Sequence, residues 1–151
     1  MKKISLLLAV VLTLVCACAI FGACQPRFVD YAAELKLNLS SATAKEEVKV
    51  RTHIDGDTVH FNVSKSVSET GIFKARFLGV DTPESTGKIE EWGKAASNFT
   101  KEKLANAVSI YVESDSSIWE ADSTGDRYLS WIWYKTDEAS DYRLLNLELL
   151  Q

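Results

Sequence analysis

The sequence predicts an α+β domain: a five-stranded barrel of the oligonucleotide/oligosaccharide-binding type with helices packed on it. Two observations point there. Short segments at residues 48–51, 58–63, 72–80, 109–113 and 127–134 alternate apolar and polar residues or, in the last case, are rich in aromatics. One long helical segment, 89–107, falls after the third of them.

The first strand begins at residue 48 with Val48-Lys49-Val50-Arg51 and is interrupted by Asp55-Gly56, a turn pair. In 58–63, Val59, Phe61 and Val63 share one face. After a polar turn region at 64–71, the third strand puts Phe73, Ala75 and Phe77 on one face and Lys74 and Arg76 on the other. Pro83 ends it, because proline cannot donate to a ladder and holds Thr82 extended. On the helix, Trp92, Ala96, Phe99 and Ala107 fall on one face with Leu104 at its edge; Lys103 falls there too, its stem lying along apolar surface. An acidic, polar loop at 114–125 leads to the aromatic strand. A second helix is expected from Asp141 or Tyr142, continuing to Gln151.

The chain has 151 residues, enough for one domain plus a leader. Met1-Lys2-Lys3 is followed by a nearly continuous apolar run to Phe21, then Gly22-Ala23-Cys24 and the polar Gln25-Pro26. This has the form of a bacterial export signal ending in a lipobox, with Cys24 as the lipidated residue; simple secretory cleavage and an uncleaved membrane anchor are the alternatives. All three place the domain outside the cytoplasm, and the membrane is a partner only through the anchor at Cys24. Residues 25–47 read as a tether and lead-in, with Tyr31-Ala32-Ala33-Glu34-Leu35 as the one ordered patch. The remainder, 48–151, is the domain, expected to be monomeric.

Removing Lys2 and Lys3 from the 17 basic residues leaves 15 against 21 acidic ones, a net charge of −6. Broad non-specific binding to nucleic acid by a basic surface is therefore disfavoured. Lys49, Arg51, Lys74, Lys88 and Lys94 read as solvated surface. The 3 cysteines, Cys16, Cys18 and Cys24, all lie in the leader, so the domain has no internal disulfide. With His53 and His60 the only histidines, a Cys/His metal site is excluded.

What remains chemically distinctive is a set of acids and arginines: Asp57, Arg76, Asp81, Glu84 and Arg127. Two carboxylates can hold a hard cation, one can handle a water, and guanidiniums can grip a phosphate in bidentate fashion. Taken singly each is ordinary. Asp57 is a turn carboxylate, Asp81 a strand-end cap, Glu84 a solvated loop residue, Arg76 an exposed strand residue, and Arg127 the partner of a salt bridge to the acidic loop. Asp55 reads as part of the turn with a minor electrostatic role, the alternative being a partner that supports the metal from behind its ligands.

In order and spacing, Ile54-Asp55-Gly56-Asp57-Thr58-Val59, Arg76 ahead of Val80-Asp81-Thr82-Pro83-Glu84, the helix from Trp92-Gly93 to Ala107, and Arg127-Tyr128-Leu129 resemble the staphylococcal nuclease family from about residue 48 to 151. The resemblance implies a Ca²⁺-dependent endonuclease that hydrolyses DNA and RNA, leaving a 3′-phosphate. It implies that Asp57, Asp81 and the backbone carbonyl of Thr82 ligate Ca²⁺. By the same likeness, Glu84 positions or deprotonates the attacking water, and Arg76 and Arg127 bind the phosphate.

The chain departs from the family's pattern twice. A lysine–tyrosine pair ahead of the second arginine is replaced by Asp122-Ser123-Thr124-Gly125-Asp126. The stretch from Leu144 to Gln151 reads as the opening of the family's second helix, so the helical end is expected to be truncated and the barrel's covering incomplete. The competing readings are an inactive truncated nuclease, a non-catalytic nucleic-acid-binding or interaction module on the same barrel, and a surface lipoprotein serving as scaffold or adhesin.

Overall fold

A computed structural model describes residues 29–151. The leader, with Cys24, lies outside the described residues. Three helices and seven strands follow in order: α1 (Tyr31–Glu34), β1 (Lys45–Glu47), β2 (Lys49–His53), β3 (Thr58–Asn62), β4 (Ile72–Phe77), α2 (Gly93–Ala105), β5 (Ser109–Glu113), β6 (Tyr128–Lys135), β7 (Arg143–Leu144) and α3 (Leu145–Glu148).

The sheet runs β1-β5-β6-β4-β3-β2, with β7 added to β6. Its two edges, β1 and β2, are separated in the chain only by Val48. Glu47 pairs with Tyr111 of β5, while Lys49 pairs with Asn62 of β3. A single bent strand therefore serves both edges and curls the sheet into a barrel, which removes the exposed ladder an open edge would present. Val48 at the bend is buried, and its N–H donates to the Ile110 carbonyl. Counting β1 and β2 as one strand, the other four are β3 to β6, so the five-stranded expectation holds. All pairings are antiparallel except β4 with β6, which is parallel.

The period-2 pattern places the core. Phe73, Ala75 and Phe77 of β4 are buried, as are Val59 and Phe61 of β3, Val112 of β5, and Ile132 and Tyr134 of β6. Phe73 stacks on Tyr128 and meets Trp119 edge-on, each at 4.8 Å between centroids. Each such burial stabilises by about 1.5–3 kcal/mol. Because alternation is strict, Lys74 and Arg76 must lie on the outer face of β4.

Four expectations need correction. The third strand stops at Phe77, where the chain turns at Leu78-Gly79 with Gly79 at φ 70°, so it ends short of residue 80 and Pro83 is not what ends it. The ladder starts at Lys45, ahead of residue 48. Polar Lys45, Glu46 and Glu47 enter it through backbone bonds, with the Lys45 ammonium held by Ser41 and Thr43 oxygens at 2.6–3.2 Å. The helix starts at Gly93, and Trp92 is 72% exposed instead of buried. Its backbone is left-handed at φ 70°, which turns the side chain out of the helical stripe; the buried positions are Gly93, Thr100 and Leu104. The helix expected from residue 141 or 142 is a β bridge to β6 followed by one helical turn, α3.

Asn146 explains that last arrangement. Its Oδ1 accepts from Ile132 N–H at 2.8 Å, and its Nδ2 donates to the Leu78 and Ser130 carbonyls at 2.9 and 3.0 Å. One buried amide thus satisfies three backbone groups of β6 and the end of β4, fixing α3 across them. Glu148 is a second anchor. It accepts from Tyr134 Oη at 2.6 Å and from Arg143, which in turn holds Asp30 at 2.8 Å. That chain of bonds ties α1, whose Ala32 is buried, to the barrel. Among the described residues no helix is long and apolar enough to cross a membrane.

Candidate active site

The turn between β2 and β3 is closed by the N–H groups of Ile54 and Asp55, both donating to the Thr58 carbonyl. It presses against the loop after β4 and against α2. Gly56 is required at that contact: a Cβ there would lie 2.7 Å from Thr82 Oγ1 and 2.9 Å from Ala96 Cβ. The Thr100 hydroxyl donates to the Gly56 carbonyl at 2.5 Å, and both are buried. Three segments distant in sequence are thereby locked together.

Asp57 is the buried centre of the site, at 1% side-chain exposure. Its Oδ1 accepts from Arg76 Nη1 at 2.6 Å and from Thr58 Oγ1 at 3.0 Å, and its Oδ2 accepts from Thr82 N–H at 2.8 Å. A buried carboxylate is tolerated only with such partners. Arg76 reaches the other way as well, with Nη2 2.5 Å from Asp81 Oδ1. Asp81 is 92% exposed, so one arm of the guanidinium is anchored in protein and the other meets solvent. Asp57, Arg76, Asp81 and Thr82 are thus joined by direct hydrogen bonds. Thr82 Oγ1, facing Gly56, is buried without a partner among the described residues.

Glu84 is exposed, but its backbone is clamped. Its carbonyl accepts from Glu90 N–H at 2.8 Å, and its own N–H donates to the Glu90 carboxylate at 3.1 Å. Gly93 abuts it so closely that a Cβ would lie 2.1 Å from the Glu84 carbonyl oxygen. The Glu84 carboxyl is raised above its usual value, first by a carboxyl–carboxyl hydrogen bond with Asp55 and then by the charge of Asp55. Burial works to raise Asp55 most strongly, yet hydrogen bonds from the Ser85 hydroxyl, Ser85 N–H and Gly56 N–H outweigh it and hold that carboxyl below its usual value. As pH falls, Glu84 takes the proton while Asp55 keeps its charge.

Arg127 precedes β6 by one residue. Tyr128 pairs with Ala75 and Leu129 with Arg76, so Arg127 lies two residues upstream on the strand beside Arg76. Its Nε donates to Asp122 at 2.6 Å. The Asp122 carboxyl is lowered to about 2, by the Thr124 hydroxyl most of all, against its burial and with Arg127 adding to the lowering. No hydrogen bond links Arg127 to the other site residues among the described residues. Asp126, the acid directly before it, turns instead to Lys74 at 2.6 Å.

Thr100 and Gly93 are contacts that sequence reasoning missed, and Asp55 does more than the turn role read for it. Asp55 is buried and bonds Ser85 N–H at 3.2 Å, well beyond its own turn. The available signal was the pairing of Asp55 and Asp57 around an obligatory glycine. Thr100 had none, since a hydroxyl on a helix carries no hint of a carbonyl 44 residues away.

No group of three or more His, Cys, Asp or Glu placed to share a metal occurs among the described residues. The cation between Asp57 and Asp81 is the Arg76 guanidinium, which marks that space as one built for positive charge. The acceptors there are the carboxylate oxygens of Asp57 and Asp81, the kind a hard cation such as Ca²⁺ prefers, and Asp81 is exposed.

A family model described as "Staphylococcal nuclease homologue" matches residues 74–151, which include Arg76, Asp81, Glu84 and Arg127; Asp57 precedes the match. The chain is 32% identical over 136 residues to a thermonuclease of Staphylococcus hyicus, covering 88% of this chain and 72% of that one. It is 35% identical over 91 residues to a thermonuclease of Staphylococcus intermedius, covering 58% of this chain and 49% of the other. An uncharacterized protein of Methanocaldococcus jannaschii is 28% identical over 155 residues, with 88% and 72% covered.

Proposed function

Because the chain belongs to the staphylococcal nuclease homologue family, a nuclease-type family, we propose that it is an exported Ca²⁺-dependent endonuclease that cleaves DNA or RNA to 3′-phosphate products. The observation that carries this reading is the Arg76 guanidinium spanning buried Asp57 and exposed Asp81, with Glu84 three residues beyond. Asp57, Asp81 and the Thr82 carbonyl are the oxygens that would hold Ca²⁺. The chemistry a hard cation supplies at such a place is neutralisation and polarisation of a phosphoryl oxygen.

The chain's own groups do the rest. Arg76 keeps Nη1 on buried Asp57 and exchanges Asp81 for a phosphate oxygen at Nη2, the arm in solvent. A guanidinium can hold a buried carboxylate with one arm and a phosphate oxygen with the other, a division that a single ammonium does not match. Arg127 offers its remaining N–H groups from the neighbouring strand while Asp122 holds Nε. Glu84, exposed and made more basic by Asp55, accepts the proton of the attacking water. Thr82 N–H and Thr58 Oγ1 hold Asp57 in orientation. Residues 1–24 serve as the export signal with lipidation at Cys24, residues 25–44 lead into the barrel, and the nuclease domain runs from the ladder's first residue, Lys45, to residue 151.

The test is incubation of the folded protein with single-stranded DNA in Ca²⁺ and then in chelator. Cleavage that requires Ca²⁺ is expected; its absence in a protein shown to be folded refutes the enzyme reading. The second reading, a binding module without catalysis, draws on the engagement of Arg127 by Asp122. It expects DNA binding with no cleavage in either condition.

A further inference from the structure

Trp92 combines three features that core packing does not explain. It is 72% exposed. Its backbone sits at φ 70°, a conformation that bulky side chains rarely adopt and that raises the free energy of the fold. Glycine would relieve that strain. Trp92 is also tied to the proposed general base, since Gly93, its neighbour, is packed on the Glu84 carbonyl and donates its N–H to the Glu90 carbonyl at 3.2 Å. Glu90 in turn holds Glu84 from both sides.

The other tryptophans are accounted for. Trp131 donates to Asp115 at 3.2 Å, Trp133 to Glu113 at 2.7 Å, and Trp119 lies edge-on to Phe73. The Trp92 indole has no hydrogen-bond partner among the described residues. Exposed single hydrophobes are ordinary on protein surfaces. An exposed indole held in a strained backbone, one residue from the clamp on Glu84, is not.

We propose that Trp92 is a nucleobase-stacking subsite that positions the single-stranded substrate beside Glu84. The proposal rests on the nuclease reading above. Indole faces stack on bases without regard to sequence, so the subsite selects unpaired bases over a base-paired duplex and tolerates every base. Ile89, three residues earlier in the chain, is exposed as well.

The experiment measures binding in chelator of a fluorescent single-stranded oligonucleotide and of the same oligonucleotide with abasic spacers. Wild type, Trp92→Phe, Trp92→Ala and Trp92→Gly are compared, with thermal melting of each. Stacking on an aromatic ring corresponds to a loss of about 5- to 150-fold on removal. Trp92→Ala and Trp92→Gly should lose affinity in that range for the normal oligonucleotide and none for the abasic one. Trp92→Phe should keep most of the affinity. Trp92→Gly should melt at or above wild type, which a merely structural Trp92 would not allow. Equal binding by wild type and Trp92→Gly, or equal losses on normal and abasic strands, overturns the proposal. Loss of binding to anionic phospholipid vesicles with oligonucleotide binding unchanged assigns the ring to a membrane surface and likewise overturns it. If wild type neither binds the strands nor cleaves them in Ca²⁺, the nuclease reading itself has failed. Wild-type cleavage with unaltered Trp92→Gly binding sinks the stacking subsite alone.

Discussion

Gly93→Ala probes how the helix positions the proposed base. The added Cβ would stand 2.1 Å from the Glu84 carbonyl oxygen, 2.5 Å from its carbon and 2.9 Å from the Pro83 carbonyl oxygen. Real Cβ atoms do not approach closer than 3.0 Å, and the obstructing atoms are backbone, so α2 or the 83–84 segment must move by about 1 Å (3.0 − 2.1 = 0.9). Overpacking of this kind destabilises by roughly 1–3 kcal/mol. Gly93 is the first helical residue, so alanine's advantage in helix interiors offsets little of that. The net loss of stability is therefore about 1–3 kcal/mol. Catalysis suffers as well, since a misplacement of about 1 Å lowers rates on the order of 10²-fold. The assay is the initial rate of Ca²⁺-dependent cleavage of single-stranded DNA, well below the melting temperature found by far-ultraviolet circular dichroism. A drop near a hundredfold in a protein that remains folded is expected. A wild-type rate with wild-type melting would refute the clamp, and so would a rate loss fully explained by the unfolded fraction.

Other substitutions test the scaffold and the pH response. Thr100→Val keeps the shape but leaves the buried Gly56 carbonyl without its donor; a loss of about 1–3 kcal/mol in urea denaturation is expected, and an unchanged midpoint would show the bond to be unimportant. Asn146→Ala strands the Ile132 N–H and the Leu78 and Ser130 carbonyls, so destabilisation of about 3 kcal/mol or more should appear in the same measurement; a loss under about 1 kcal/mol would contradict the anchoring role. Asp55→Asn removes the charge and the shared proton that raise Glu84. Activity needs ionised Glu84, whose raised value makes activity fail at a higher pH than an ordinary glutamate would. The acidic limb of the rate profile should move to lower pH in this variant, and an unmoved or upward-moving limb would disprove the coupling.

How legible all this was in the sequence depends on whether a residue's role is local. Strand β4 was readable because alternation of Phe73, Ala75 and Phe77 with Lys74 and Arg76 is imposed by the pleat itself. Strand β5 was readable to the residue for the same reason. Strand β1 was hidden, since Lys45, Glu46 and Glu47 enter the ladder through backbone groups that side-chain pattern does not report. Trp92 was misread because a helical stripe assumes helical φ, and one left-handed residue breaks the phase. Residues 141–148 misled because Leu-rich spacing cannot show that Asn146 will be used to bond β6. In the site, the spacing of Asp57, Arg76, Asp81 and Glu84 was visible. A salt bridge from Arg127 to the acidic loop was also visible, and Asp122 supplies it. The pairing of Asp55 with Glu84 and the Gly93 contact arise only when distant segments meet.

The most direct measurement compares Glu84→Gln with wild type for both Ca²⁺-dependent cleavage of single-stranded DNA and Ca²⁺ affinity by calorimetry. Loss of a general base lowers rates by about 10²–10⁴-fold. A fall in that range with Ca²⁺ affinity largely kept is expected if Asp57 and Asp81 hold the cation and Glu84 handles the water. Cleavage by Glu84→Gln at the wild-type rate would contradict the assigned chemistry.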